Sequence, residues 1–232
     1  MIPSPHIVEI VGKLGFDWIL IDCEHGSISI ESAELMAMAA EAAGVTPIAR
    51  PPTNSFEAIG QLMDRGVMGV QVPHVNTMED ARRAVEAVKY HPVGNRSLAA
   101  GVRSSSYGQG MSMSEYSEIS NAETLVCVQI EDAEAVDNVD EIVEVEGVDV
   151  FFVGPSDLSQ SLGFPGRNDA RPVRQAMDHV FQTVAANGQV SGSAGDVDAT
   201  RRYLEQGATY LYTHLTTLLS SGANSHLEAV SE

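Results

Sequence analysis

Two apolar runs in this chain end in an acid. Val126-Cys127-Val128-Gln129-Ile130 leads into Glu131, and Val150-Phe151-Phe152-Val153 leads into Gly154-Pro155-Ser156-Asp157. Runs of this length, rich in Val, Ile and Phe, read as strands buried on both faces. A carboxylate at the end of such a strand stands at the rim of the sheet, where α/β enzymes place their chemistry. Glu131 and Asp157 are hard oxygen ligands suited to a divalent cation such as Mg2+, Mn2+ or Co2+. Gln129 and Glu131 are two apart and project to the same side of their strand. One can bind the metal while the other hydrogen-bonds substrate or water. The stretch from Gly154 to Asp157 exposes backbone N–H groups, so Ser156 and Asp157 could hold a substrate carboxylate. Asp132 and Glu134 read as acids opening the following helix, where its dipole favours them.

A second set surrounds a histidine. Ile21-Asp22-Cys23-Glu24-His25-Gly26 follows an apolar strand. His25 can act as a general base because imidazole titrates near neutrality. Asp22 and Glu24 are close enough in sequence to orient the ring or raise its pKa. A rim histidine that merely bonds a loop is the plainer alternative, and its place beside two acids favours chemistry. Arg50, in Ala49-Arg50-Pro51-Pro52, ends the next strand and can hold a carboxylate or an enolate oxygen. His74 and His214 also fall near strand ends and read as pocket-lining or structural. His6, His91, His179 and His226 read as solvated.

Lysine is nearly absent. Lys13 and Lys89 are the two in the chain, and neither ends a strand. Schiff-base chemistry needs a lysine in the pocket. Carbonyl chemistry here therefore points to a metal-stabilised enolate.

The elements that must position these residues alternate. The strands read as Trp18–Asp22, Thr46–Arg50, Gly69–Val72, Thr124–Ile130, Val148–Val153, Gln189–Ser193 and Thr209–Thr213. The helices read as Pro5–Leu14, Ile30–Ala43, Phe56–Arg65, Met78–Tyr90, Ala133–Val145, Asp169–Asn187 and Val197–Gln206. Gly44, Gly66, Gly147, Gly188 and Gly207 stand where a helix stops before a strand. Such repeated units argue for a parallel sheet, and their even spacing without a linker favours one (β/α)8 TIM barrel domain over residues 1–232. Seven strands are visible. Either the barrel closes some other way, or its first strand belongs before Met1, which would leave a slot beside His214. His91–Met113 is the one long loop and reads as a lid.

The composition narrows the classes. With 232 residues, 44% of them hydrophobic, the chain can fill one large core. Thirteen Lys and Arg against 32 Asp and Glu give a net charge of −19. A basic footprint for nucleic acid is missing. Lysine depletion with acids on every helix suits a halophile surface that must stay soluble in salt. No apolar run is long enough for a membrane span, and the first residues lack a signal-peptide pattern. Cys23 and Cys127, in strand-like runs, read as small buried hydrophobes of a reducing compartment. The expected location is cytoplasmic.

Taken together the motifs resemble the HpcH/HpaI aldolase family. The carrying residues are Gly15-Phe16-Asp17-Trp18, Ile21-Asp22-x-Glu24-His25-Gly26, Arg50-Pro51, Val72-Pro73, Pro92-x-Gly94-x-Arg96, Arg103 with Tyr107-Gly108, Gln129-x-Glu131, and Gly154-Pro155-x-Asp157-Leu158-Ser159 with Leu162-Gly163. The resemblance implies a barrel of the phosphoenolpyruvate/pyruvate type whose last helix is swapped between subunits, in a hexamer built as a dimer of trimers. It implies Glu131 and Asp157 as metal ligands, and His25 as a base acting with water and oriented by Asp22. It implies Arg50 as the enolate-stabilising group and Gln129 as facing pyruvate. The backbone at Ser156 and Asp157 would take the pyruvate carboxylate. The chain departs from the family at its start, at Ser97, and at Tyr212-Thr213-His214-Leu215. The first departure bears on barrel closure and the others on the aldehyde acceptor. The activity implied is cleavage of a 4-hydroxy-2-oxo acid to pyruvate, or a related 2-oxo acid, and an aldehyde. A citryl- or malyl-CoA lyase and a non-catalytic binding barrel are the alternatives. The first would need basic residues for the CoA phosphates, and the second would have no use for the intact acid, histidine and arginine set.

Overall fold

The computed structural model describes residues 2–231. Helix α1 (Pro5–Lys13) precedes β1 (Trp18–Asp22). Then follow α2 (Ile30–Ala43), β2 (Thr46–Arg50), α3 (Phe56–Asp64), β3 (Gly69–Val72) and α4 (Met78–Val88). After a 3-10 turn at Arg103–Gly108 come α5 (Met113–Glu123), β4 (Leu125–Ile130), α6 (Ala133–Asp137), α7 (Val139–Ile142) and β5 (Val150–Val153). The rest is α8 (Pro155–Ser161), α9 (Arg171–Ala186), β6 (Val190–Ala194), α10 (Val197–Glu205), β7 (Tyr210–Tyr212) and α11 (Leu215–Ser231). All strand pairs are parallel and the order is that of the chain, β1 to β7.

Local signals fix the helices. Ser29, Ser55 and Asp196 accept N–H bonds from the first turns of α2, α3 and α10. Thr77 and Asp80 form a reciprocal capping box on α4. Gly44 ends α2 in the left-handed conformation at φ 70°, where a side chain would be strained. The expected helix Ala133–Val145 breaks at Asn138, which leaves helical geometry and donates its side-chain amide to Asn76 O at 2.8 Å.

The sheet curls so that its two faces differ. Outward residues such as Val126, Val128, Phe151 and Val153 pack under the helices in the main core. Inward residues Cys127, Val150, Phe152, Ala194 and Tyr210 form a second, smaller core within the curl. Trp18 of β1 stacks on Tyr210 of β7, with centroids 4.2 Å apart, so the two end strands approach each other. They are not hydrogen-bonded neighbours. A cavity of about 200 Å3 separates them, lined by α1, α11 and both strands and reaching Asp22, Arg50 and His214. The described residues therefore build a seven-stranded curled parallel sheet with the slot where the strand count put it.

Several expectations need correction. The segment after α4 begins at the opposite end of the sheet from the strand C-termini, so it does not form a lid over its own chain's rim. It carries the 3-10 turn and α5, which its polar, serine-rich composition concealed. Helix α8 was also not legible, and the last helix, α11, was expected from the resemblance alone. Cys127 is buried within β4, but Cys23 lies one residue beyond β1 and is half-buried. No helix among the described residues is long and apolar enough to cross a membrane.

Candidate active site

Register sets the first contact. Asp22 and Arg50 are paired positions at the C-terminal ends of β1 and β2. Arg50 donates from Nε to Asp22 Oδ1 at 2.9 Å and from Nη2 to Oδ2 at 2.8 Å. Asp22 Oδ1 also accepts the backbone N–H groups of Glu24 (3.2 Å) and His25 (3.3 Å). Burial opposes the Asp22 charge, but Arg50 and these N–H groups outweigh it, and the carboxyl titrates below its ordinary range. Burial likewise opposes the Arg50 charge, and Asp22 with nearby Glu24 and Tyr212 holds it protonated well above its ordinary value.

Asp22 thus shapes the turn that carries His25, through the backbone and not through the imidazole. The ring is half-exposed, with Nε2 3.7 Å from Glu24 Oε2 and 4.0 Å from Asp157 Oδ2. Glu24 Oε2 lies 3.2 Å from Arg50 Nε, whose hydrogen is already given to Asp22. This buried oxygen has a charged neighbour but no hydrogen bond.

A second chain of contacts runs along the inner face. Gln71 Nε2 donates to Gln129 Oε1, and Gln129 Nε2 donates to Glu131 Oε2, each at 2.5 Å. Gln129 and Glu131 share a face, as their spacing requires, so Gln129 supports the carboxylate directly. Both glutamines are fully buried. Gln71 was missed, although a lone amide within the apolar strand Gly69-Val70-Gln71-Val72 is the same signal as Gln129 within β4.

His74, read from the sequence as pocket-lining or structural, does line the site. Its backbone sits at φ 51°, a left-handed conformation uncommon outside glycine. That conformation aims its N–H at Glu131 Oε1, 2.9 Å away. Its ring lies 2.9 Å from Asp132 Oδ2 through Nδ1 and 3.6 Å from Glu24 Oε1 through Nε2. Asp132 does occupy the N-cap position of α6 but makes no side-chain cap bond, so its carboxylate serves His74. Burial alone would lower the His74 pKa, but the Asp132 bond and the charges of Glu131, Asp132 and Glu24 raise it. His214 goes the other way: burial and the Arg50 charge keep it below its ordinary value.

Glu131 is 1% exposed. Its carboxyl is pushed up to about 7, chiefly by burial and also by the charges of Asp157 and Glu24, against the His74 N–H and charge, which pull it down. A buried carboxylate facing two others is relieved by a cation. Glu131 and half-exposed Asp157 supply two hard oxygen donors, the number Mg2+ takes from protein when water and substrate complete its shell. No group of three or more His, Cys, Asp or Glu among the described residues has the arrangement of a closed metal cage. Gly154 passes so close to Glu131 that an added Cβ would stand 2.4 Å from Oε2. Ser156 and Asp157 follow in the first turn of α8.

Lysine takes no part. Lys89 donates from Nζ to the carbonyls of Thr124 (2.5 Å) and Asn121 (2.9 Å), before the start of β4. That is the opposite end of the sheet from Glu131.

The family model for HpcH/HpaI aldolase/citrate lyase matches residues 2–217. A protein of Shigella boydii named 5-keto-4-deoxy-D-glucarate aldolase is 38% identical over 209 residues, covering 90% of this chain and 80% of that protein. The crystal structure of an HpcH/HpaI aldolase/citrate lyase family protein from Burkholderia cenocepacia superposes with a TM-score of 0.94 at 29% identity, covering 100% of this chain and 92% of that one. That of citrate synthase SbnG superposes with a TM-score of 0.87 at 29% identity, covering 99% and 90%.

Proposed function

The chain belongs to the HpcH/HpaI aldolase/citrate lyase family, and we propose that it is a divalent-metal-dependent aldolase that cleaves a 4-hydroxy-2-oxo acid to pyruvate, or a related 2-oxo acid, and an aldehyde. The observation that carries the reading is the convergence of His25, Arg50, Glu131 and Asp157 from four strand ends onto one rim, with His25 Nε2 4.0 Å from Asp157. The relative named as a keto-deoxy sugar-acid aldolase supports a 2-oxo acid substrate of this kind.

Glu131 and Asp157 would hold the cation. When bound it polarises the 2-oxo group and offsets the charge of the enolate. Gln129 holds Glu131 from one side and the His74 N–H from the other. The backbone of Ser156 and Asp157 receives the substrate carboxylate. His25, reachable from solvent, takes the 4-hydroxyl proton through a water as the C3–C4 bond breaks. Arg50 keeps Nη1 without a hydrogen bond to the described residues, which leaves it a donor for the developing oxyanion. Asp22 fixes both Arg50 and the His25 turn.

The test is pyruvate release from 4-hydroxy-2-oxo acids, with and without EDTA, and with Mg2+, Mn2+ and Co2+ restored in turn. Release that is undiminished by chelation sinks the metal assignment. No release from any such acid sinks the aldolase reading. The likeness to a citrate synthase favours one competing outcome, carbon–carbon bond formation from a 2-oxo acid. It would appear as consumption, not release, of the keto acid.

Two structural proposals accompany this one. An eighth parallel strand fills the slot between β1 and β7, because unpaired strand edges at a buried seam leave backbone groups unsatisfied. Helix α11, which buries none of its residues in this chain, packs on another copy.

A further inference from the structure

A cavity unrelated to the rim lies at the other end of the sheet. It has a volume of about 630 Å3, within the range of small-molecule sites. Thr46 and Pro47 at the start of β2, Met68 just before β3 and Thr124 just before β4 line it. Glu131 ends the strand that follows Thr124, so at ~3.3 Å per residue the two sites stand roughly 20 Å apart. The segment between α4 and α5 forms the facing wall through Arg96, Arg103 and Ser104.

Arg96 is the unusual member. Its side chain is 1% exposed. Nη2 donates to Asp64 Oδ1 at 2.8 Å, and the Tyr90 ring covers the guanidinium with its centroid 4.7 Å from Cζ. Nε and Nη1 are buried with no acceptor among the described residues, and so is the hydroxyl of Ser104. Buried donors without partners are costly, and their clustering in one cavity asks for an acceptor. Of the two acids in the lining, Glu41 is 73% exposed and paired with Arg103, and Glu123 is exposed. The acids of the lining therefore lie toward solvent, while Arg96, paired with Asp64 through Nη2 alone, keeps two donors unspent inside. Met63, Val67, Met68 and Ile119 supply an apolar wall.

We infer that this cavity is a second binding site, for a small carboxylate with a short apolar body, its head received by Arg96 and Ser104 and its tail by the methionine wall. A carboxylate meets a guanidinium with charge-assisted bonds, and the tail gains from burial. A 2-oxo group is not required, which separates this ligand from the rim's substrate.

The test uses the whole chain in EDTA, with hexanoate as probe and calorimetry as readout. Hexanoate should bind one per chain, with inorganic phosphate (a head without a tail) and hexanol (a tail without a head) at least tenfold weaker. Asp157→Ala should leave this binding unchanged, since the rim is not involved. Arg96→Gln should weaken it at least tenfold. Because Arg96 also anchors Asp64 and Tyr90, two milder variants stand beside it. Ser104→Ala should weaken binding severalfold, and Ile119→Trp, which narrows the cavity from the exposed side of α5, should abolish it with the circular dichroism spectrum unaltered. Absence of hexanoate binding, equal binding of hexanol, or full affinity in both milder variants overturns the assignment.

Discussion

Arg50 lies against Asp22 at two points, Nε to Oδ1 at 2.9 Å and Nη2 to Oδ2 at 2.8 Å, with both side chains less than a tenth exposed. A buried, two-point pair of this kind fixes the guanidinium where a flexible surface arginine could not. Removing Asp22 would strip Arg50 of both side-chain hydrogen bonds and leave it only the Glu24 contact, and breaking a buried pair typically costs about 3–5 kcal/mol. Asp22→Ala should lose stability of that order in urea at pH 7. The Asp22 pKa is lowered on folding, so its contribution is complete above the unfolded value near 3.8 and fades as pH falls through the lower folded value. The gap between wild type and variant should therefore shrink below about pH 3.8. An equal gap at pH 7 and pH 3 would show that the ion pair is not its source.

Asp157 contributes to the rim without being buried in the core, being 41% exposed. Asp157→Ala should leave the melting temperature near that of wild type while metal-stimulated turnover falls to background. Retained turnover at saturating metal would remove Asp157 from the ligand set.

His25→Ala removes the group proposed to move the proton, an effect typically of about 10²–10⁴ in rate. The fall should appear in kcat for cleavage, with pyruvate affinity kept. Lost pyruvate affinity with unimpaired chemistry would assign His25 to binding instead.

Gly154→Ala tests the close approach to Glu131. The new Cβ would stand 2.4 Å from Oε2 and 2.9 Å from the Glu131 Cβ, so the carboxylate must move. Activity should drop at least tenfold with metal affinity weakened, since a displacement of about 1 Å at a reacting site can cost 10²-fold. Unchanged metal affinity would mean that Glu131 is not a ligand.

The charge of −19 with two lysines makes self-repulsion the dominant long-range electrostatic effect. Screening should relieve it, so the melting temperature should rise between dilute buffer and molar KCl. A flat or falling trend counts against adaptation to high salt.

The sequence by itself determined the order and type of the repeating elements, because their signals are local. Apolar runs, serine and threonine caps and Gly44 act within a few residues, and all seven strands appear, with ends shifted by at most two residues. It also determined that Gln129 and Glu131 share a face, which follows from the two-residue period of a strand. Only the tertiary structure decided which strand ends meet. Parallel register sets Asp22 beside Arg50, and curling of the sheet brings Trp18 of the first strand onto Tyr210 of the last. Neither contact has a signature within a short window. The same holds for His74, whose place depends on a left-handed backbone and on acids 57 and 58 residues away. Asp132 looked like a helix-opening acid and is one by position, but an aromatic nitrogen from another loop claims its carboxylate. Arg96 likewise read as one member of a motif. That its guanidinium is buried over Tyr90 with unspent donors is a property of packing, which emerges when distant segments exclude water together.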